Sequence, residues 1–271
     1  MNGASREALH ASRERLDALT DNTSVDAAKL AGELAAVTAL LDREVSLRRV
    51  LTDPAQPGEA KAELAARLLG GQIGGETLDL VSGMVRSRWS QSRDLVDALE
   101  ELADTADLTA AQKAGALDDV EDEVFRFGRI LVSNTELRAA LTDRKATASA
   151  KGELLRSLLG GKANAATERL VTRLVTHPRG RSLEAGLESL SKLAAERRDR
   201  MVATVTTAVP LSDVQKQRLG AVLAKLYGRQ MHLNCDVDPA VLGGITVQVG
   251  DEVIDGSTAN RLAEAARRMA G

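Results

Sequence analysis

Through the first 200 residues, apolar side chains recur at intervals of three and four. Leu30, Leu34, Val37, Leu40 and Leu41 form one such stripe, and Val120, Val124, Phe127, Ile130 and Leu131 form another. This spacing follows the turn of an α-helix, so each stripe predicts the apolar face of an amphipathic helix. Between the stripes stand helix-interrupting stretches: TDPAQPG near residue 55, GGQIGG near 72, GGKAN near 162 and HPRGRS near 179. Breaks this short make successive helices antiparallel neighbours, which predicts bundles.

After residue 200 the period changes from helical to alternating. MVATVTTAV (201 to 209) is rich in β-branched residues and predicts a strand, ended by Pro210. Ser212 and Gln215 have the spacing of a capping box, opening a helix that carries Val214, Leu219, Val222, Leu223 and Leu226 and is closed by Gly228. MHLNCDV (231 to 237) alternates Met231, Leu233, Cys235 and Val237 with polar His232, Asn234 and Asp236, which predicts a half-buried strand. Ile245, Val247 and Val249 then share one strand face, Gly250-Asp251 turns the chain, and a short strand follows around Val253 and Ile254. A second turn, Asp255-Gly256, precedes Ser257, which caps a last helix with Leu262, Ala266 and Met269 on its apolar side.

The two halves of the helical region are related. Displaced by 90 residues, LRRVLTDPAQPGEAKAELAARLLGG (47 to 71) falls on LRAALTDRKATASAKGELLRSLLGG (137 to 161) without a gap, matching at 13 of 25 positions. Chance in a chain this rich in Ala and Leu gives roughly two or three, so the region is read as an internal duplication. Gly70 and Gly160 are expected to end a helix in the left-handed conformation. The fold class is therefore mostly α with a small C-terminal α/β domain: an internally duplicated N-terminal helical bundle, then a small mixed sheet with two helices. The predicted domains are 1–94, an extra bundle copy; 95–200, the helical-bundle domain; and 201–271, the α/β domain.

Composition narrows the function more than it suggests one. Lys and Arg number 36 against 39 Asp and Glu, so no basic field favours nucleic acid or anionic lipid. Four aromatic residues, Trp89, Phe125, Phe127 and Tyr227, are too few for base-stacking platforms. No stretch approaches the ~20 apolar residues of a membrane span, since even LAGELAAVTALL is cut by Glu33. The opening residues mix Arg with Glu7, Glu14 and Asp17, and are read as a first helix rather than a leader.

Candidate chemistry is sparse. The glycine-rich stretch VLGGITVQVGDEVIDGSTANRL (241 to 262) lacks the Lys of a phosphate-binding loop, and Asp251, Glu252 and Asp255 would repel an anion, so its glycines are read as turns. His10, His177 and His232 share no metal-ligand spacing, and Cys235 lies on the apolar phase of its strand. AERRDR (195 to 200) and LDDVEDEV (117 to 124) are read as solvated helix faces. Trp89, beside Arg86, Arg88 and Arg93, fits a core anchor and a partner contact equally well. The residues thus describe a protein-binding protein with no catalytic residues, no cofactor and no metal.

The C-terminal pattern LNCDVDPAVLGGITVQVGDEVIDGSTANRL (233 to 262) resembles the signature of the delta subunit family of F-type ATP synthases, which includes the oligomycin sensitivity conferral protein. The residues that carry it are Asp238, Gly243, Gly244, Gly250, Asp251, Asp255, Gly256, Ser257, Arg261 and Leu262, in the family's order and spacing. Upstream, SNTELRAAL and VTTAVPLSDVQKQRL resemble the end of the family's helical domain and the entry to its last domain, so residues from about 95 onward cover an ordinary member. The resemblance implies a non-catalytic stator subunit on the cytoplasmic face of the bacterial membrane. Its helical bundle would hold N-terminal helices of alpha subunits, and its last domain the C-terminal region of the b-subunit stalk. Nucleic acid and direct membrane insertion have no part in that role. The extra residues 1 to 94 leave open which copy receives the alpha helix. The rival reading is a helical protein–protein adaptor unrelated to the synthase.

Overall fold

A computed structural model describes residues 1–21, 24–199, 202–227, 231–238, 244–249 and 252–255. The chain divides into two compact units, Met1–Ala194 and Ala195–Gly271. The architecture is mostly α with a small α/β unit, in agreement with the change of period near residue 200.

The first unit begins with α1 (Gly3–Asp21), α2 (Ala27–Arg43), α3 (Val45–Leu51), α4 (Gly58–Leu69), α5 (Gly75–Arg86) and α6 (Ser92–Lys113). It continues with α7 (Leu117–Ser133), α8 (Thr135–Thr142), α9 (Ala148–Leu159), α10 (Ala165–Thr176) and most of α11 (Leu183–Asp199), whose last residues, from Ala195, belong to the second unit. The helices α2 to α5 each start 90 residues before α7 to α10, so the repeat seen in the residues is a repeat of elements. In the same register α6 matches α1 and is matched in turn by α11: it stands as the sixth helix of the first set and the first helix of the second. The boundary placed between 94 and 95 thus falls inside α6.

Burial explains how one helix serves both sets. The helix α6 packs against α1, α2 and α3 on one side and α7 and α10 on the other, and Leu95, Leu99, Leu102 and Ala106 along it are fully buried. Leu30, Leu34, Val37 and Leu41 of α2 are buried as the stripe predicts, with Leu16 and Leu80 in the same cluster. In the second set Val120, Val124, Phe127 and Leu131 are buried, but Ile130 is 50% exposed, a departure from the predicted stripe. It sits at the edge of the apolar arc, half open to solvent. Trp89 is buried and donates its indole N–H to the Met84 carbonyl oxygen at 2.7 Å, which makes it a core anchor.

The caps differ between the copies although the helices coincide. Asp26 caps α2 by accepting from Ala28 and Lys29 N–H groups, whereas in the second copy Asn134, Thr147 and Asn164 cap α8, α9 and α10. The double glycines close α4 and α9 in a way that corrects the expectation. Gly70 and Gly160 are not left-handed (φ -56 and -55); Gly71 and Gly161 are, with φ 78 and 69. The first glycine of each pair is needed for closeness instead, because a Cβ on Gly70 would lie 2.5 Å from the Ala66 carbonyl oxygen, and one on Gly160 would collide likewise with that of Arg156.

The second unit holds β1 (Val202–Thr207), α12 (Asp213–Tyr227), β2 (His232–Val237), β3 (Ile245–Val249) and β4 (Glu252–Asp255). The sheet order is β2-β1-β3-β4, with β1 parallel to β2 across α12 and the other pairs antiparallel. Ala203, Val205, Leu223, Val247 and Val249 form its core, with Cys235 and Leu219 packed against it. The predicted capping box is present: Ser212 N–H donates to Gln215 Oε1 at 2.9 Å and Gln215 N–H to Ser212 Oγ at 3.4 Å. Val214, Val222 and Leu226 are exposed rather than in the core, as is Val237 at the end of β2. The closing Gly228, the turn Gly250-Asp251 and the last helix from Ser257 lie outside the described residues.

Candidate functional site

Two surfaces could hold partners, one in each unit. The first is a groove of about 470 Å³ between α2 and α10, floored by α6. Its α2 wall presents Gly32, Ala35, Thr38 and Ala39, small residues on one helical face, and its α10 wall presents Ala165, Thr172 and Thr176. Asp42, Glu168 and His177 stand at its margin.

Beneath the groove runs a buried ionic ladder. Asp97, Glu100, Asp104 and Asp107 recur at threes and fours along α6 and so share one face. Asp107, fully buried, accepts from Arg169 Nε at 2.6 Å and also from Arg173 Nη2, while Asp104 accepts from Arg173 Nε at 2.9 Å. Glu100 accepts from Arg181 Nη2 at 2.6 Å and from Arg179 Nη2, which is also 3.0 Å from Asp97. Arg169 and Arg173, one turn apart on α10, therefore lock that helix onto α6. Removing one member of such a ladder leaves a buried charge uncompensated, so the ladder fixes geometry more than it adds stability. Burial pushes the Asp104 carboxyl up to about 7, against the pull of Arg173 and with help from Glu100 and Asp107.

The end of the ladder is strained and incompletely satisfied. Arg179 has a left-handed backbone (φ 47), and its carbonyl oxygen accepts from Arg93 Nη2 at 2.7 Å. Its side chain is 4% exposed, lines the groove, and leaves Nε and Nη1 with no acceptor.

A second carboxylate device recurs at the repeat distance. Glu33 accepts from Gly74 N–H at 3.0 Å and from the Thr77 hydroxyl, fastening the start of α5 to α2. Glu123 accepts from Asn164 N–H at 2.9 Å and from the Thr167 hydroxyl, fastening α10 to α7. Glu123 belongs to LDDVEDEV, so that segment is not simply a solvated face. Arg197 of AERRDR is buried as well.

The second surface is the outer side of α12, where Val214 (74% exposed), Val222 and Leu226 stand among Arg218 and Lys225. Of the signature residues, Asp238 donates its N–H to the Thr207 carbonyl oxygen at 2.9 Å, Gly244 has φ 90 where β3 begins, and Asp255 pairs with Thr246 across β3 and β4. Gly243, Gly250, Asp251, Gly256, Ser257, Arg261 and Leu262 lie outside the described residues. His10 pairs with Glu14 at 3.7 Å on α1 and His177 meets the Thr176 hydroxyl, so these two histidines lie apart in local contacts. Among the described residues no group of three or more His, Cys, Asp or Glu could hold a metal ion, and no helix is long and apolar enough to cross a membrane.

The family model described as "ATP synthase delta (OSCP) subunit" matches residues 105–269. The chain belongs to that family. Its full length is also shared: "ATP synthase subunit delta" of Streptomyces griseus subsp. griseus is 83% identical over 271 residues, covering 100% of both chains. That of Thermobifida fusca is 49% identical over 271 residues, again 100% of both, and that of Frankia alni 48% over 275 residues, 99% of each. The chain is accordingly a subunit of the F-type ATP synthase and a component of its peripheral stalk, with no catalysis of its own. Membership sets aside the unrelated adaptor. It also dates the first repeat as more than an accident of one chain, since relatives at about half identity carry the same length.

Ladder and groove were missed by the residue pattern, though a signal was present. The acids of α6 repeat at helical spacing within an otherwise apolar sequence, LVDALEELADTADLTAA, and two arginines one turn apart stand in RLVTRL. Neither segment alone identifies the other as its partner.

Proposed function

We propose that this delta-family chain ties the catalytic head to the stalk through two grips in series. The helical unit takes an N-terminal helix of an alpha subunit, and the α/β unit takes the C-terminal region of the b-subunit stalk. The chain sits peripherally on the cytoplasmic face of the membrane, and residues 1–94 are an extra bundle copy added to 95–200. The signature residues from Asp238 to Leu262 shape the turns of the α/β domain at 201–271 rather than contact a ligand. The observation that supports the second grip is the apolar row Val214, Val222 and Leu226 on α12, flanked by Lys and Arg. Exposed apolar side chains aligned on one helix face suit a helical partner, and the cations suit an acidic one. A stator needs stiffness and slow dissociation, which the buried ladder and packed helices supply without any reactive group.

The test uses the full chain. Val222→Asp with Leu226→Asp should abolish co-purification with the b subunit while calorimetry with an alpha N-terminal peptide is unchanged. Membranes carrying that variant should hydrolyse ATP but lose synthesis driven by the proton gradient. Full retention of b by the double variant would refute the assignment of the second grip.

A further inference from the structure

The groove between α2 and α10 is built from both repeats. One wall, α10, lies within the span that matches the family, residues 105–269, while the floor, α6, crosses the start of that span and reaches the groove through Glu100, just before it. The other wall, α2, lies entirely outside that span. We infer that the first repeat turns this face into a composite docking site for one amphipathic partner helix, which carries a narrow face of small side chains and a carboxylate. This inference rests on the reading that the helical unit grips a helix.

Three observations carry it. Gly32, Ala35 and Ala39 make the α2 wall low, so a partner backbone can approach closely between α2 and α10. A Cβ on Gly32 would meet nothing within 4 Å, so that space is open in the chain itself. At one end Arg179, nine-tenths buried and lining the groove, holds Nε and Nη1 without acceptors. An unsatisfied buried guanidinium nitrogen is costly, and a carboxylate is the acceptor that relieves it best. Glu100 and Asp97 engage Nη2, so the charge is partly met while the remaining donors are not.

The occupant is thereby specified by chemistry. A bulky or basic face is excluded by the close walls and by the guanidinium, and a loop would leave its backbone groups unpaired against apolar walls. A helix satisfies its own backbone and presents one stripe. The ninety-residue repeat supplies an internal control, because the position equivalent to Gly32 is Asp122, on α7 and away from the groove.

Calorimetry of the full-length chain with a synthetic peptide of roughly the first 20 residues of the alpha subunit tests the site. Gly32→Trp and Ala39→Trp should weaken binding by about tenfold or more without lowering the melting temperature, whereas Asp122→Trp should bind as the parent does. A peptide with its acidic residues replaced by amides should bind the parent about tenfold more weakly. If the peptide binds the parent and both tryptophan variants equally, the composite groove is wrong while the stator reading stands. Equal binding of the amide peptide would remove Arg179 from the site. Failure of the peptide to bind the parent would overturn the groove together with the alpha grip.

Discussion

Glu33 accepts a hydrogen bond from the Thr77 hydroxyl, and ninety residues further on Glu123 accepts one from Thr167. In both places the carboxylate also takes a backbone N–H at the start of the next-but-two helix, where orphan donors and the positive end of the helix dipole favour an anion. Glu33→Ala and Glu123→Ala should each lower the stability of the helical unit by about 1 to 3 kcal/mol, and by similar amounts, because each leaves the same N–H and hydroxyl unpaired. Trp89 is the one tryptophan and is buried in that unit, so its fluorescence during urea unfolding measures the loss. No change in either variant would show that water replaces the carboxylate freely.

Gly70 and Gly71 should respond differently to the same substitution. Alanine at Gly71 pays for a left-handed backbone (φ 78), about 1 to 2 kcal/mol. Alanine at Gly70 places its Cβ 2.5 Å from the Ala66 carbonyl oxygen, so backbone must move, at a cost of about 1 to 3 kcal/mol and with a shifted helix end. Unfolding midpoints measure the first effect. Amide exchange at the end of α4 detects the second, and protection there as in the parent would contradict the contact.

The Asp104 carboxyl makes the helical unit sensitive to pH. Its unfolded form titrates near 3.9, the native form at about 7, because burial resists ionisation. Between those values the native state binds more protons than the unfolded state. The stability this contributes is complete below about pH 4 and is lost as pH rises through 7. Asp104→Asn should therefore flatten the pH dependence of unfolding across that window, by up to about 1.4 kcal/mol per pH unit. Parallel curves for the two proteins would mean that Arg173 keeps Asp104 ionised.

Removing residues 1–91 should leave a fragment that does not fold normally, although it retains the whole span matched by the family. Leu95, Val96, Leu99 and Leu102 of α6 cluster with side chains of α1, α2 and α5. Exposing them forfeits on the order of 5 to 10 kcal/mol, comparable to the net stability of a domain. Aggregation or a broad thermal transition is the expected outcome. A sharp transition at the parent temperature would show that α6 is stabilised by the second repeat alone.

Much of this was legible in the residues because its signals are local. Ser212 and Gln215 announce their capping box within four positions, and β3 declares its inward face through Ile245, Val247 and Val249. The repeat was legible because both copies lie in one chain. What escaped was set by neighbours far along the chain. Periodicity assigns Ile130 and Val222 to apolar arcs, but whether another element covers an arc depends on the tertiary arrangement, and both are exposed. The burial of Asp104 and Asp107 depends on Arg169 and Arg173, more than sixty residues away. The paired glycines were recognised as helix ends, yet which one turns and which one merely fits is decided by the carbonyl of Ala66.

The position of α6 in both helical sets has a mechanical consequence. Two bundles joined by a linker bend where the linker bends, and a load crossing them is softened at that hinge. Here the joint is a continuous 22-residue helix, roughly 33 Å of hydrogen-bonded rod, embedded in both cores at once. To pivot one bundle against the other, the rod itself must break or its buried leucines must leave their sockets. Within the first unit the duplication therefore adds a second helical set without inserting a compliant element between the two, and strain applied to one set reaches the other with little of it stored along the way.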